Sequence, residues 1–144
     1  MLDLDTFIEQ STPFAGEVDP DLYRTLAPWV QERVKRYDEV PGFIDWVVGP
    51  APEPTEKDWK KVMGKDHVPK VLDVVIERLQ TAEWTPPALE EVVLGVGAEL
   101  EVKSQLPVRM AVTGRRSGIP LFEPMAEMER AEVLSRLTHA RSQV

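Results

Sequence analysis

Carboxylates are the most numerous groups in this chain that could do chemistry, and several of them occur in close clusters. The clusters are Asp3-Asp5, Glu90-Glu91 and Glu127-Glu129-Glu132. General acid–base catalysis needs a buried carboxyl group with a perturbed pKa, and no cluster has a basic or nucleophilic partner at a useful spacing. His67 and His139 lie far apart and have no nearby acidic pair to complete a set of metal ligands. The sequence therefore predicts no catalytic residue and no metal site.

Other common chemistries are excluded by what the chain lacks. Gly95 and Gly97 fall inside an apolar helical pattern, so they do not form a phosphate-binding loop. Without cysteine, the chain has no disulfide framework and no thiolate metal site. No apolar run approaches the roughly 18 residues of a membrane span, and no signal peptide opens the sequence. We expect a cytoplasmic protein without a membrane partner and without a cofactor of its own.

Charge is distributed unevenly along the chain, whose formal net charge is −8. Residues 1–102 contain 10 Lys or Arg and 21 Asp or Glu. Residues 103–144 contain 7 Lys or Arg and 4 Asp or Glu. An acidic body with a basic end is typical of a module that offers one face to phosphates and repels them elsewhere. A solvated surface with chance asymmetry is the alternative, and charge alone favours neither.

Helical periodicity runs through the chain, and no segment alternates with period two for long. The predicted helices cover 4–10, 20 to about 37, 41–48, 55–64, 68–79 and 85–100. Pro28 interrupts the second helix, where we expect a kink or two abutting helices. Three prolines within residues 50–54 favour an extended linker, so we predict one helical subdomain over residues 1–52 and another over residues 53–144. The predicted fold is all-α.

The segment from residue 106 to residue 137 has the most distinctive pattern. Pro107 is pre-set for a first helical turn and Gly114 for a left-handed stop, so a short helix carries Arg109 on its first turn. A mobile basic loop over residues 115–118 follows, and another helix begins within residues 119–122. The last helix presents Val133 and Leu137 at core spacing, with Arg136 beside them. A weak salt bridge within its own helix is the alternative role for Arg136.

This order of residues resembles the C-terminal end of bacterial-type glutamyl-tRNA synthetases. The family pattern is Pro-Leu-Arg-x-Ala-Leu-Thr-Gly, then Gly-Pro-x-Leu-Phe-Glu after a short loop, and a terminal Arg-Leu. The chain reads Pro107-Val108-Arg109-Met110-Ala111-Val112-Thr113-Gly114, Gly118-Ile119-Pro120-Leu121-Phe122-Glu123 and Arg136-Leu137. The likeness continues through Val34-Lys35-Arg36-Tyr37-Asp38 and covers nearly the whole chain after about the first dozen residues.

The resemblance implies an anticodon-binding region in which two subdomains form a concave surface, the first toward the anticodon stem and the second toward the loop. In the family, an arginine matching Arg36 contacts the third anticodon base, and one matching Arg109 contacts the first. The chain at Gly118 and Ile119 would face the middle base through backbone groups. Two further residues, Leu121 and Phe122, would pack against a flipped base.

Phosphate contacts are expected from three other arginines. Arg33 is predicted to lie one turn before Arg36 on the same helix face, and Arg115 and Arg116 follow in the basic loop. An arginine can also distinguish bases, because its guanidinium only donates hydrogen bonds. Cytosine offers two acceptors on its pairing edge where guanine offers donors, and an unpaired loop exposes that edge. Glutamate anticodons end in C and glutamine anticodons in G, so Arg36 indicates a preference for glutamate tRNA.

The resemblance thus implies the C-terminal portion of a glutamyl-tRNA synthetase, without its catalytic half. Its partners would be the anticodon stem-loop of tRNA(Glu) and the catalytic domain of the same enzyme, not DNA. The family's His-Ile-Gly-His and Lys-Met-Ser-Lys-Ser motifs are absent, so ATP and Mg²⁺ would be used elsewhere. The alternative is a stand-alone helical paralogue that binds RNA or proteins in trans. The acidic body supports a protein-interaction module, as does Leu94, where relatives often have Arg.

Overall fold

The computed structural model describes residues 2–144, and every regular element within them is helical. The α-helices are α1 (Leu4–Ser11), α2 (Pro20–Arg33), α3 (Val40–Val48), α4 (Glu56–Met63), α5 (Val68–Leu79), α6 (Pro86–Leu100), α7 (Gln105–Thr113), α8 (Phe122–Ala126) and α9 (Arg130–Ser142). Two short 3₁₀ turns cover Thr12–Phe14 and Tyr37–Glu39. The all-α prediction is confirmed. None of the described helices combines the length and the hydropathy of a bilayer span.

Helix boundaries mostly follow from local capping chemistry. Asp3, Asp19, Thr55 and Thr85 each precede a helix, and the side chain of each accepts a hydrogen bond from the backbone N–H three residues later. Such caps satisfy N–H groups that have no partner inside the helix. Gly114 ends α7 with φ of 73°, the left-handed conformation that favours glycine. These boundaries agree with the sequence predictions.

The end of α2 differs from the prediction that it reaches Tyr37 or Asp38. The helix ends at Arg33, and Val34 is already extended, with ψ of 141°. The carboxylate of Glu39 accepts hydrogen bonds from the backbone N–H groups of Lys35 and Arg36, at 2.7 Å and 3.0 Å. These two N–H groups are therefore satisfied without a helical turn. The prediction that Arg33 and Arg36 share a helix face is wrong.

Two smaller differences concern Pro28 and the start of α8. Pro28 lies inside a single continuous α2 and faces solvent, so the helix is not divided into two. The helix predicted to begin with residues 119–122 starts only at Phe122, and Ile119 and Leu121 are buried in the loop before it. In both places the backbone follows tertiary packing more closely than local propensity.

The helices pack in two groups along the chain. In the first, α1 packs on α2 and α2 on α3. In the second, α5 contacts α6, α7 and α9, while α6 packs on α8 and α4 packs on α7. The proline-rich stretch over residues 50–54 connects them without regular structure. The boundary between two subdomains after residue 52 stays a prediction. A buried side chain connects the two groups of helices.

That side chain is Arg136 of α9, which is only 6% exposed. Its guanidinium donates hydrogen bonds to the carbonyl oxygens of Trp46 and Val112, each at 2.7 Å, and of Gly49 at 2.9 Å. Its Nε contacts Glu132 at 2.9 Å. The carbonyls lie at the ends of α3 and α7, where helices have unpaired acceptors and partial negative charge. Arg136 thus joins the ends of two helices, α3 and α7, to the middle of α9, a role much larger than a surface salt bridge.

We expect Arg136→Ala to lower the free energy of unfolding by about 3 kcal/mol or more, because each buried carbonyl left without a donor costs roughly 1–3 kcal/mol. Denaturant unfolding followed by circular dichroism measures this. Arg141→Ala is the matched control on the same helix, since its pair with Asp73 is partly exposed and should contribute under about 1 kcal/mol. Equal effects of the two substitutions would contradict this role for Arg136.

We expect Gly114→Ala to destabilise the chain by at least about 1–2 kcal/mol, the typical cost of a left-handed conformation for a residue with a Cβ. The added methyl group would also collide with the Pro52 carbonyl oxygen. Gly95→Ala in α6 is the control, because a Cβ there meets nothing within 4 Å. It should stabilise the helix by about 0.5–1 kcal/mol. Thermal unfolding of both variants distinguishes backbone strain from a general effect of glycine replacement.

Candidate nucleic-acid interface

Arg109 is held partly buried on α7. Its Nη1 donates a hydrogen bond to the Ile119 carbonyl oxygen at 2.9 Å, and no carboxylate pairs with it within the described residues. Burial lowers the pKa of the Arg109 guanidinium, and the nearby charge of Arg33 lowers that pKa further. An arginine stays protonated at neutral pH even so. The site therefore contains a fixed cation whose charge the protein does not neutralise.

Arg33 brings a second cation to Arg109 from the other group of helices. It is the last residue of α2, and its Nη1 donates to the Trp29 carbonyl oxygen at 2.9 Å. Its nearest carboxylate is that of Glu32, at 3.5 Å. Two neighbouring guanidinium groups repel each other, and an anion bound beside them would relieve that repulsion. Arg33 thus adds to the positive charge near Arg109, which favours a bound phosphate or another anion.

Arg36 is the most exposed of the predicted base-reading residues. Its side chain is 74% exposed and pairs with Asp38 at 2.5 Å. Glu39 fixes the backbone at Arg36, and the N–H groups of Lys35 and Arg36 lower the pKa of the Glu39 carboxyl group. A solvent-exposed ion pair contributes little energy. The backbone of the loop at Arg36 is therefore held in place by Glu39, while the Arg36 guanidinium can leave Asp38 and bind another acceptor.

Arg115 and Arg116 already have carboxylate partners. Arg115 forms a two-pronged pair with Asp45, at 2.7 Å and 2.6 Å, and donates to the Gly42 carbonyl oxygen at 3.1 Å. The hydrogen bond with Asp45 raises the pKa of Arg115. Arg116 pairs with Asp58 at 3.2 Å. Their predicted phosphate contacts stay predictions, and in this structure both residues connect the loop after α7 to earlier helices.

The loop between α7 and α8 corrects another expectation. Ile119, Leu121 and Phe122 are 0%, 1% and 6% exposed, because their side chains fill the core. The prediction that Leu121 and Phe122 pack against a flipped base does not hold in this structure, since neither presents a free apolar face. Gly118 lies in the same loop with φ of 154°. A Cβ at this position would lie 4.0 Å from Nη1 of Arg109. The Ile119 carbonyl serves to orient Arg109.

An open groove of about 690 Å³ adjoins these residues. Lys103, Arg109 and Arg116 line it, and in the described part of the chain Glu101 is the only carboxylate that does. Lys103 was missed in the sequence, where it is a single lysine between two helices. Its only signal there is its position at the start of the basic end of the chain. The structure therefore concentrates positive charge in one groove of a chain whose net charge is −8.

A second cleft is lined by several acidic side chains. It has a volume of about 530 Å³ and is lined by Glu53, Glu56 and Glu132, with Trp59 and His139 among the other residues. Such a surface repels phosphates. Within residues 2–144, no group of three or more His, Cys, Asp or Glu side chains is placed to hold a metal ion.

The sequence and the fold were compared with known proteins. A family model described as an anticodon binding domain matches residues 6–141. The glutamate–tRNA ligase of Streptomyces avermitilis is 35% identical over 97% of this chain, which covers 30% of that protein. The corresponding ligase of Streptomyces coelicolor is 37% identical over 89% of the chain, which covers 27% of it. The chain therefore spans less than a third of the length of these curated relatives.

Solved structures support the same fold. A glutamate tRNA ligase from Elizabethkingia meningosepticum superposes with a TM-score of 0.83 over 98% of this chain and 29% of its own, at 15% identity. A glutamate-tRNA synthetase from Elizabethkingia anophelis gives 0.78 over 99% of the chain. At such low identity these matches concern the fold alone, and the family follows from the sequence matches. The chain belongs to the anticodon binding domain family and corresponds to the C-terminal, anticodon-binding portion of glutamate–tRNA ligases.

Proposed function

We propose that the chain reads the anticodon of glutamate tRNA as part of a glutamate–tRNA ligase and so selects the tRNA for glutamate attachment. The observation that carries this proposal is Arg109, a partly buried cation oriented by the Ile119 carbonyl oxygen, which lines a basic groove in an acidic chain. The catalytic domain of the same enzyme is the second partner. ATP and Mg²⁺ would act in that domain, and this chain supplies recognition.

Arg109 is suited to contact a base because its guanidinium is already oriented. One nitrogen is occupied by the Ile119 carbonyl oxygen, which fixes the plane and leaves other N–H groups for acceptors on a base edge. A side chain that is already ordered loses less entropy on binding. We assign Arg109 to the first anticodon base, as in the family it resembles, and Arg33 to a neighbouring phosphate.

Arg36 is assigned to the third anticodon base. In the free chain its guanidinium pairs with Asp38, and cytosine would offer it two acceptors in place of that carboxylate. Guanine presents donors at the same edge, so Arg36 would lose its partner there. This selects the C of a glutamate anticodon over the G of a glutamine anticodon. Phosphate contacts would position the RNA, while these two arginines distinguish its bases.

The first test is binding of the chain to a glutamate-anticodon stem-loop and to a variant with the last anticodon base changed from C to G, at two salt concentrations. We expect the C form to bind about tenfold more tightly, within the roughly 1–3 kcal/mol of a well-formed base contact, and both affinities to fall as salt rises. Arg36→Gln should remove the preference without changing the fold.

No binding to either RNA at low salt would contradict the proposal and favour the alternative of a helical protein-interaction module. Salt-sensitive binding with no preference for C would keep an RNA-binding role but refute the assignment of Arg36. Arg24→Gln is a suitable control, because Arg24 is an exposed arginine of α2 that pairs with Asp5. This substitution removes the same charge without touching the proposed site.

A second test replaces Arg109 by Lys. Lysine keeps the positive charge but lacks the planar fork that orients on the Ile119 carbonyl and on a base. We expect the salt dependence to stay nearly unchanged while affinity for the cognate stem-loop falls about tenfold, the effect of roughly 1.4 kcal/mol. The affinity for a stem-loop with an abasic first anticodon position should hardly change. An equal loss on that RNA would show that Arg109 acts through the stability of the fold or another part of the RNA, and not through the first anticodon base.

A further inference from the structure

Two exposed leucines lie in the same groove as the cations. Leu94 of α6 and Leu106 of α7 line it together with Lys103 and Arg109. The leucines are 43% and 40% exposed, and only three other large apolar side chains within residues 2–144 are comparably exposed. The groove thus combines apolar walls with positive charge. A nucleotide combines a flat base with a phosphate, so it matches both parts of this surface.

The wall of the groove is rigid before anything binds. Ser104 is buried, and its hydroxyl donates to the Val93 carbonyl oxygen at 2.6 Å. The N–H of Val102 donates to the Gly97 carbonyl oxygen at 3.0 Å. Gly97 has no room for a side chain, because a Cβ would approach Ser104 Oγ to 2.5 Å. The connection between α6 and α7 is therefore fixed, which lowers the entropy lost when a ligand binds.

We infer that this groove holds one unpaired nucleotide of the tRNA loop, with its base against Leu94 and Leu106 and its phosphate near Lys103. The inference rests on the proposed function and adds three binding residues to it. Charge complementarity favours this occupant, since Lys103 and Arg109 line the groove without an ion-pair partner within the described residues, whereas Arg116 is paired with a carboxylate. The volume of about 690 Å³ also lies within the roughly 300–1,000 Å³ of small-molecule sites.

The test measures binding of the full chain to the glutamate stem-loop and to stem-loops with an abasic site at each loop position in turn. We expect Leu94→Ala and Leu106→Ala each to weaken binding of the intact RNA about three- to tenfold through loss of apolar contact. On one abasic RNA the effect of both substitutions should fall below about twofold, because the base that they contact is gone. Leu2→Ala is the matched control, since Leu2 is 44% exposed outside the groove.

Lys103→Gln tests the phosphate contact separately. Each phosphate contact to a single strand contributes about 0.7 to the slope of log affinity against log salt, so we expect the slope to fall by about that amount. An unchanged slope would overturn the contact at Lys103. Equal losses for the leucine variants on every abasic RNA would overturn the base contact and favour a protein partner at this surface.

Failure of this inference and failure of the proposed function give different results. If the wild-type chain prefers the C form while both leucine variants bind as tightly as the wild type, only the groove assignment is overturned. If the wild-type chain binds no stem-loop, the proposed function is overturned and the groove assignment with it. Circular dichroism spectra of the variants should match the wild type, because both leucines are partly exposed.

Discussion

The buried guanidinium of Arg136 is the interaction on which the rest of the architecture depends. It donates to carbonyl oxygens at the ends of α3 and α7 while it belongs to α9, so it connects the two groups of helices. A lysine could not reach three carbonyls in one plane as a guanidinium does. The placement of α7 by Arg136 also places Arg109, and α3 stands next to the loop that carries Arg36. A structural arginine therefore positions the arginines that are proposed to read RNA.

Positive charge lines one groove of the chain, whereas the chain as a whole is acidic. Most arginines pair with a carboxylate, as Arg115 does with Asp45 and Arg136 with Glu132. Arg109 is different, since burial and Arg33 both disfavour its charge and no carboxylate offsets this within the described residues. A negative net charge elsewhere discourages nonspecific contact with phosphates. Specificity then depends on a few cations in one place.

Sequence reasoning predicted the elements that local chemistry determines. Capping residues such as Thr55 and Thr85, and the left-handed Gly114, determined helix boundaries correctly. It failed at the end of α2, where the carboxylate of Glu39 satisfies the N–H groups of Lys35 and Arg36 and so replaces another helical turn. The motif located Arg109 but could not show that Leu121 and Phe122 face the core. The periodicity of the sequence does not reveal that Lys103 lines the groove or that Arg136 is buried. Both features depend on how separate helices pack together.

Arginine Nε–H resonances of the chain, followed while the glutamate stem-loop is added, would test the central claim most directly. We expect the signals of Arg36, Arg33 and Arg109 to shift with the same saturation behaviour, while those of Arg136 and Arg141 stay in place. The cognate RNA should shift Arg36 differently from the variant that ends in G. Shifts confined to Arg136 and Arg141, or no shift of Arg36 and Arg109 at saturation, would contradict anticodon reading by these residues.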